Sequence, residues 1–235
     1  MIEIQSLPTP DAWAEACAVR LTEGLSAANA LDGQAFFAGA GGSTPAPIYR
    51  RMANAALDWS RVTTTLVDER YVPESSPESN ARLLKETLLT GPAASAHFIP
   101  LFSEQVTLDR AALVASHALE MVGRPLDAVL LGMGEDGHIC SMFPENPALK
   151  QLLAFDNPPL VLAVAKSRST TAPQQDRLSL NIPWLARAGR VVLAISGRNK
   201  REVFERDLGG DPRTTPIAAL VGSGAPLEVL WTEAA

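Results

Sequence analysis

Short apolar runs alternate with segments of helical periodicity along most of the chain, and this alternation is the main architectural signal. The first helical pattern covers residues 10–31 and places on one face Trp13, Cys17, Leu21 and Leu25. Further helices are expected at about residues 45–56, 79–89, 107–122, 179–188, 199–208 and 214–221. Apolar runs of strand length lie between them, at Ala35–Ala38, Val62–Val67, Phe98–Phe102, Ala128–Leu131, Leu160–Ala165, Val191–Ile195 and Leu227–Trp231.

Several of these strand runs are apolar throughout instead of alternating, which is typical of a parallel sheet with helices on both faces. The chain has 235 residues, of which 46% are hydrophobic and 20% charged, so it can bury a large core. The pattern predicts an α/β fold class, with residues 1–235 forming a single doubly wound, three-layer domain. In this fold a mostly parallel sheet is covered by helices on both faces.

The charge balance argues against one class of partner. Twenty-six acidic and 20 basic side chains give a formal net charge of −6, whereas nucleic-acid binders carry a local basic excess. A small anion remains possible, because a few local donors can hold one. We therefore expect a small-molecule partner and no nucleic acid; the sequence does not determine the oligomeric state.

The cellular setting is expected to be the cytoplasm. Only Cys17 and Cys140 occur, too few for the disulfide framework of a small secreted domain. The start of the chain, MIEIQSLPTPDAWAE, lacks the basic and apolar pattern of a signal peptide, and no window reaches about 18 uninterrupted apolar residues. We expect no membrane association.

Polar or glycine-rich clusters follow four of the predicted strands. They are GAGGSTP at 39–45, DER at 68–70, GMGEDGH at 132–138 and SGRNK at 196–200. The carboxyl ends of parallel strands share one edge, where ligands bind at the topological switch point. The four clusters are therefore expected to meet at one cleft, which favours a site over a solvated turn for Asp68, Glu69 and Arg70.

The first cluster is typical of an anion-binding turn that leads into a helix. The turn is formed by Gly41, Gly42, Ser43 and Thr44. Ser43 or Thr44 is placed to cap the helix, with Pro45 at its first position. No Lys-Ser/Thr pair follows, so it is not a Walker loop. The alternative is an ordinary strand-to-helix turn.

Two basic residues are candidates for the same anion. Lys200 lies at the start of a predicted helix, where the helix dipole disfavours a cation unless an anion compensates. Arg168, in the polar loop KSRSTT, is a weaker candidate of the same kind.

The third cluster formally matches the dinucleotide fingerprint G-x-G-x-x-G, but we reject that reading. Glu135 and Asp136 would place carboxylates where a pyrophosphate lies, and Pro144 and Pro147 prevent the long helix that the fingerprint requires. No nicotinamide or other cofactor is expected.

The same cluster contains His138, the best candidate for a general base. A neutral imidazole can take a proton from water, and a nearby carboxylate such as Asp136 can fix its tautomer. The alternative is a histidine that is simply hydrogen-bonded in a loop. Cys140 is a possible nucleophile, but its proximity in sequence gives poor geometry, which favours buried packing.

The other histidines are interpreted as structural. His97 precedes a predicted strand, and His117 lies within an amphipathic helical pattern. Because the three histidines are dispersed and no H-E-x-x-H or C-x-x-C motif occurs, no metal site is expected.

Four segments, in this order and spacing, strongly resemble one enzyme family. They are AGAGGSTPAPIYRRM, LVDERYVPESSPESNARLL, LLGMGEDGHICSMFPENP and ISGRNKREVF. The sequence resembles the 6-phosphogluconolactonases, hydrolases of the pentose phosphate pathway, over about residues 10 to 232. That family is grouped with the glucosamine-6-phosphate deaminases in a Rossmann-like α/β fold, which agrees with the predicted sheet.

The resemblance implies roles for individual residues. His138 would activate the attacking water with Asp136 close by, while Asp68 also lies in the site. The phosphate would be held, and the lactone oriented, by the turn at 41–44, Arg70 and Lys200. Arg168 is assigned to substrate binding by its position in the sequence. The sequence departs from the family at SRSTTAP, where many lactonases show a Ser-Pro-Lys-Pro-Pro-like stretch, and at Ile139, where they usually show Thr.

The implied reaction opens a δ-lactone by water attack, without metal or covalent intermediate. One alternative is aldose-ketose isomerisation with deamination, as in the sister family, whose members show Asp-Glu-Tyr where this chain has Asp68, Glu69 and Arg70. Arg70 therefore favours the lactonase. A second alternative is a sugar-phosphate sensor that binds without turnover.

Overall fold

The computed structural model describes residues 2–42, 44–167 and 174–233. The α-helices are α1 Pro10–Asp32, α2 Ala46–Met52, α3 Asn80–Thr87, α4 Leu108–Glu120, α5 Leu149–Leu153, α6 Ile182–Ala186, α7 Arg198–Asp207 and α8 Pro216–Gly222. The strands are β1 Ile4–Leu7, β2 Ala35–Gly39, β3 Val62–Leu66, β4 Asp68–Arg70, β5 His97–Phe98, β6 Ala128–Leu131, β7 Val161–Val164, β8 Arg177–Leu180, β9 Val191–Ser196 and β10 Leu227–Thr232. Two 3₁₀ turns, Trp59–Arg61 and Gly91–Ser95, complete the regular structure of the described residues.

A seven-stranded sheet forms the centre of the fold, in the order β1-β10-β9-β6-β2-β3-β5. All of its strand pairs are parallel. The chain builds from β2 outward through β3 to β5, then returns to the other side of β2 with β6, β9 and β10. The strand order therefore reverses between β2 and β6, which makes their carboxyl ends the switch point. The predicted α/β class, with a mostly parallel sheet and helices on both faces, is confirmed.

Helix α1 shows how local sequence supports this core. The hydroxyl of Thr9 accepts the N–H of Ala12 at 3.1 Å, and Gly33, with φ 71°, ends the helix in the left-handed region. The predicted apolar face is buried, and three of its members, Cys17, Leu21 and Leu25, are fully enclosed. Among the described residues, no helix is long and apolar enough to cross a membrane.

A second sheet, which the sequence pattern did not predict, lies beside the first. Its three strands are antiparallel in the order β4-β8-β7. The predicted strand Leu160–Ala165 corresponds to β7, but it belongs to this small sheet and not to the parallel one.

The predicted helix at 179–188 is wrong in its first part. Residues up to Leu180 form β8, because their backbone groups pair with both β4 and β7. The helix starts only at Ile182, where Pro183 occupies the first turn. The edge strand β1 is also absent from the prediction; two of its four residues are exposed and two are partly buried, and they show little apolar periodicity.

Candidate active site

A cleft of about 200 Å³ opens where the segments after β2, β6 and β9 meet the small sheet. Its walls contain seven of the residues predicted for the site, namely Gly41, Gly42, Thr44, Asp68, Arg70, His138 and Lys200. The structure adds further lining residues that include Asn80, Met133, Cys140 and Arg177. The four clusters expected to converge therefore do so. Ser43 and Arg168 lie outside the described residues.

His138 and Asp136 form a hydrogen-bonded pair at the edge of this cleft. The Nδ1 atom of His138 lies 2.5 Å from Oδ1 of Asp136, and the same oxygen accepts the backbone N–H of His138 at 3.2 Å. Burial tends to raise the pKa of Asp136, but the hydrogen bond and charge of His138 outweigh it, so the pKa is lowered. The carboxylate is thus ionised and fixes a proton on Nδ1, which leaves Nε2 as the basic nitrogen.

The loop holds the imidazole in a narrow range of positions. The N–H of Gly134 donates to the carbonyl of His138 at 2.9 Å, and Gly137 has a φ of 87°, which favours glycine. A Cβ atom on Gly134 would overlap the imidazole and the Asp136 carboxylate. The ring of Phe143 lies against the imidazole with a centroid distance of 4.2 Å. The side chain of His138 nevertheless stays 26% exposed, so water can reach it.

Two arginines form one wall of the cleft. Arg70 on β4 and Arg177 on β8 are direct cross-strand partners. The Nε atoms of both are buried and have no hydrogen-bond partner among the described residues. Burial and the charge of Arg70 lower the pKa of Arg177, while Asp68 acts in the opposite direction. A guanidinium stays protonated in any case, so this wall presents concentrated positive charge and unused donors to an anion.

Arg177 is the main residue that the sequence analysis missed. It lies in the alternating segment RLSL, which puts Arg177 and Ser179 on the same face of β8. That alternation is the available signal, but the helix predicted at 179–188 takes in the last two residues of the segment and so hides it.

Asp68 is held below the surface of the cleft. It is 6% exposed and receives the hydroxyl of Ser141 at 2.6 Å, while Nη1 of Arg177 lies 3.6 Å away. The side-chain amide of Asn80 donates to the carbonyl of Asp68 at 2.9 Å. The carboxylate therefore has partners within the protein, unlike the arginine Nε atoms.

Glu69 points away from the cleft, because alternate residues of a strand face opposite sides. It accepts the N–H groups of Arg70, Asn80 and Ala81 and the hydroxyl of Ser79, at 2.7 to 3.0 Å. Burial raises its pKa despite these bonds. Glu69 thus supports the start of α3, and the DER cluster divides into two cleft residues and one structural residue.

The described residues of the glycine turn and Lys200 also line the cleft. Gly41 packs so closely on Asn80 that a Cβ would overlap its side chain, and Gly42 has a φ of 86°. Helix α2 begins at Ala46, one residue later than predicted; Pro45 is its N-cap, and no side chain caps it in the described residues. The predicted cap by Thr44 is therefore wrong. Lys200, the third residue of α7, makes no ion pair within the described part of the chain.

Cys140 also lines the cleft but is 8% exposed. Burial, with a contribution from the Asp68 charge, raises the pKa of its thiol well above the ordinary value. The thiol is therefore protonated, in agreement with packing and not with nucleophilic attack. His97 on β5 and His117 on α4 lie outside the cleft lining. No group of three or more possible metal ligands occurs in the described ranges.

Comparison with known proteins gives the family. The family model for glucosamine-6-phosphate isomerases and 6-phosphogluconolactonases matches residues 8–231. The chain belongs to this family. The resemblance of the four motifs is thereby confirmed, as is the prediction that the chain is an enzyme.

Individual members of the family are similar over nearly their full length. A 6-phosphogluconolactonase of Rhizobium meliloti is 40% identical over 224 residues, which cover 94% of this chain and 95% of the relative. One from Caulobacter vibrioides is 39% identical, with 99% and 98% covered. The crystal structure of a 6-phosphogluconolactonase from Shewanella baltica has a TM-score of 0.90 at 32% identity and covers 99% of this chain and 98% of its own.

The fold is shared more widely. A structure described as a monomeric glucosamine-6-phosphate deaminase matches with a TM-score of 0.77 at 17% identity, covering 98% of this chain and 97% of its own. At this identity the match shows the fold alone, so the chemistry of this protein must be inferred from its site.

Proposed function

We propose that the protein hydrolyses 6-phospho-D-glucono-1,5-lactone to 6-phospho-D-gluconate in the oxidative pentose phosphate pathway of the cytoplasm. The observation that carries this proposal is the Asp136–His138 pair at the edge of a cleft whose other walls are cationic. The lactonase names of the similar proteins agree with it.

The proposed reaction starts with water held by Nε2 of His138. As the water oxygen attacks C1 of the lactone, Nε2 takes its proton, and the imidazolium is stabilised by Asp136. The tetrahedral oxyanion then collapses, the bond from C1 to the ring oxygen breaks, and the imidazolium returns the proton to that oxygen. The acid product ionises and releases a proton to solvent. General-base assistance of this kind contributes about 10²- to 10⁴-fold.

The cationic walls supply binding and orientation. The turn at 41–44, Arg70 and Lys200 are proposed to hold the 6-phosphate, with Arg177 as a further donor beside Arg70. A phosphate bound at a distance from C1 lets binding energy position the lactone for attack. Ser43 and Arg168 keep their predicted binding roles. Asp68 is proposed to act by fixing Arg177 and the His138 loop.

The direct test is acid release. Purified protein is added to freshly generated 6-phosphogluconolactone in a lightly buffered pH-indicator solution, with spontaneous hydrolysis subtracted. We expect enzyme-dependent acid release that saturates with substrate. The same preparation is given glucosamine 6-phosphate, and ammonia is measured.

The two assays separate the alternatives. Ammonia release without acid release would assign the deaminase reaction. Binding of the lactone or the gluconate product without either reaction would indicate a sensor. Each of these results would overturn the proposed hydrolysis.

A further inference from the structure

Among the described residues, Ser141 makes the hydrogen bonds that join the loop carrying His138 to strands of the small sheet. Its hydroxyl donates to Oδ2 of Asp68 on β4 at 2.6 Å, and its backbone N–H donates to Oγ of Ser179 on β8 at 3.2 Å. Ser141 and Ser179 are fully buried, and Asp68 is 6% exposed. Both donors of Ser141 are therefore used to join the loop to two strands of another sheet.

The backbone between His138 and Ser141 needs such support. Cys140 has a φ of 51°, in the left-handed region that a residue with a side chain rarely occupies. Such a conformation persists only where its surroundings fix it. On the upstream side, the bond from Gly134 to the carbonyl of His138 closes the turn, but it lies within the same loop. Ser141 provides the link to a different element on the downstream side.

We propose that Ser141 is a positioning residue for His138, and that it acts through Asp68 and Ser179. This proposal rests on the proposed role of His138 as general base. It gives the buried Asp68 carboxylate a defined function, since that group joins Ser141 to Arg177 and so sets the loop against the arginine wall. Proton transfer and attack are sensitive to displacements of about 1 Å, so loosening this link will slow turnover more than it weakens binding.

The test compares two serine-to-alanine variants. Ser141→Ala removes the hydroxyl link from the His138 loop to β4. Ser116→Ala is the matched control, because the Ser116 hydroxyl also bridges to the small sheet: it accepts the N–H of Val161 on β7 at 2.8 Å and donates to its carbonyl at 3.1 Å. Ser179→Ala is a second test variant that removes the acceptor for the Ser141 backbone N–H.

We expect Ser141→Ala to lower kcat for 6-phosphogluconolactone roughly tenfold or more while KM changes by less than about threefold. Ser179→Ala will act in the same direction, and Ser116→Ala will leave kcat within about twofold. The protein has only three histidines, so their ring-proton signals can be assigned by proton NMR. The His138 signal will shift in Ser141→Ala, whereas those of His97 and His117 will not.

The proposal is overturned if folded Ser141→Ala keeps its kcat, if only KM changes, or if Ser116→Ala loses as much activity. If Ser141→Ala does not fold, the same criteria apply to Ser179→Ala. If the unmodified protein does not hydrolyse the lactone, the proposed function is overturned independently of Ser141. The NMR comparison would still show whether Ser141 positions the imidazole.

Discussion

At the scale of single residues, the chemistry available at the site depends on which polar atoms already have hydrogen-bond partners. His138 has its Nδ1 side occupied by Asp136 and one face covered by Phe143, while Nε2 has no partner among the described residues. Cys140 lies two residues away but is buried as a neutral thiol. On the grounds of protonation state and exposure, we propose His138 as the reacting group and not the neighbouring Cys140.

Replacing His138 by Asn tests the general base. His138→Asn keeps a polar side chain but has no basic nitrogen, so kcat should fall by roughly 10²-fold or more. The circular dichroism spectrum should be unchanged, because the side chain is partly exposed in a loop. Near-normal turnover in the folded variant would mean that another group activates the water.

Asp136→Asn tests the carboxylate through stability and pH. The pKa of Asp136 is lowered in the folded protein, so its contribution to stability is present above its unfolded pKa of about 3.9 and is lost as pH falls through the lowered value. Denaturant unfolding between about pH 5 and pH 3 should therefore show a shallower pH dependence for the Asn variant than for the parent. Identical slopes in the two proteins would show that the pair does not form in solution.

Cys140→Ser separates water attack from covalent catalysis. A water mechanism needs no thiolate, so activity should stay within a few-fold, and iodoacetamide should react slowly with the parent because the thiol pKa is raised by burial. Steady-state kinetics and alkylation followed by mass spectrometry measure both. Complete loss of activity in a folded Ser variant would favour a cysteine nucleophile.

At the scale of elements, α7 is fixed at its start by the neighbouring strand β10. The N–H of Gly197 donates to the carbonyl of Thr232 at 2.9 Å, and the indole N–H of Trp231 donates to the carbonyl of Gly197 at the same distance. The guanidinium of Arg201 lies over the Trp231 ring, 4.8 Å from its centroid. These contacts set the position of the first turn of α7, and with it Lys200 at the cleft.

Lys200→Met tests whether this turn recognises the phosphate. The substitution keeps the apolar stem and removes the charge, and hydrogen bonds to charged groups contribute about 1.5 to 3 kcal/mol, or roughly one to two powers of ten in binding. The value of kcat/KM for 6-phosphogluconolactone should drop by about this factor. Hydrolysis of unphosphorylated gluconolactone should be nearly unchanged, so equal losses on both substrates would remove Lys200 from the phosphate site.

At the scale of the whole molecule, Val67 connects the two sheets. This residue lies between β3 and β4; its N–H donates to the carbonyl of Gly39 on β2, and its carbonyl accepts the N–H of Leu180 on β8, both at 2.9 Å. The small sheet is thus hydrogen-bonded to the large one at the edge where the cleft forms. We propose on this ground that residues 1–235 form one domain.

A single domain should unfold in one step. Far-ultraviolet circular dichroism reports both sheets, whereas three of the four tryptophans, Trp13, Trp59 and Trp184, are buried in the core and report its unfolding through their fluorescence. Denaturation curves from the two signals should coincide if the sheets unfold together. Two separated transitions would show that the small sheet is an independent unit.

The sequence by itself determined the layered α/β class. Apolar runs of strand length and the apolar face of α1 are local patterns, because side chains that repeat with the period of an element lie on one face and are buried away from water together. It also determined the clusters that meet at the cleft, since parallel strands place their carboxyl ends on one edge. Only the tertiary structure decided the small sheet, whose three- and four-residue strands carry too little periodicity to compete with a helical pattern. Pairing of β4 with the distant β8 brings Arg177 beside Arg70 and Ser179 beside Asp68, and such contacts depend on the packing of the whole chain.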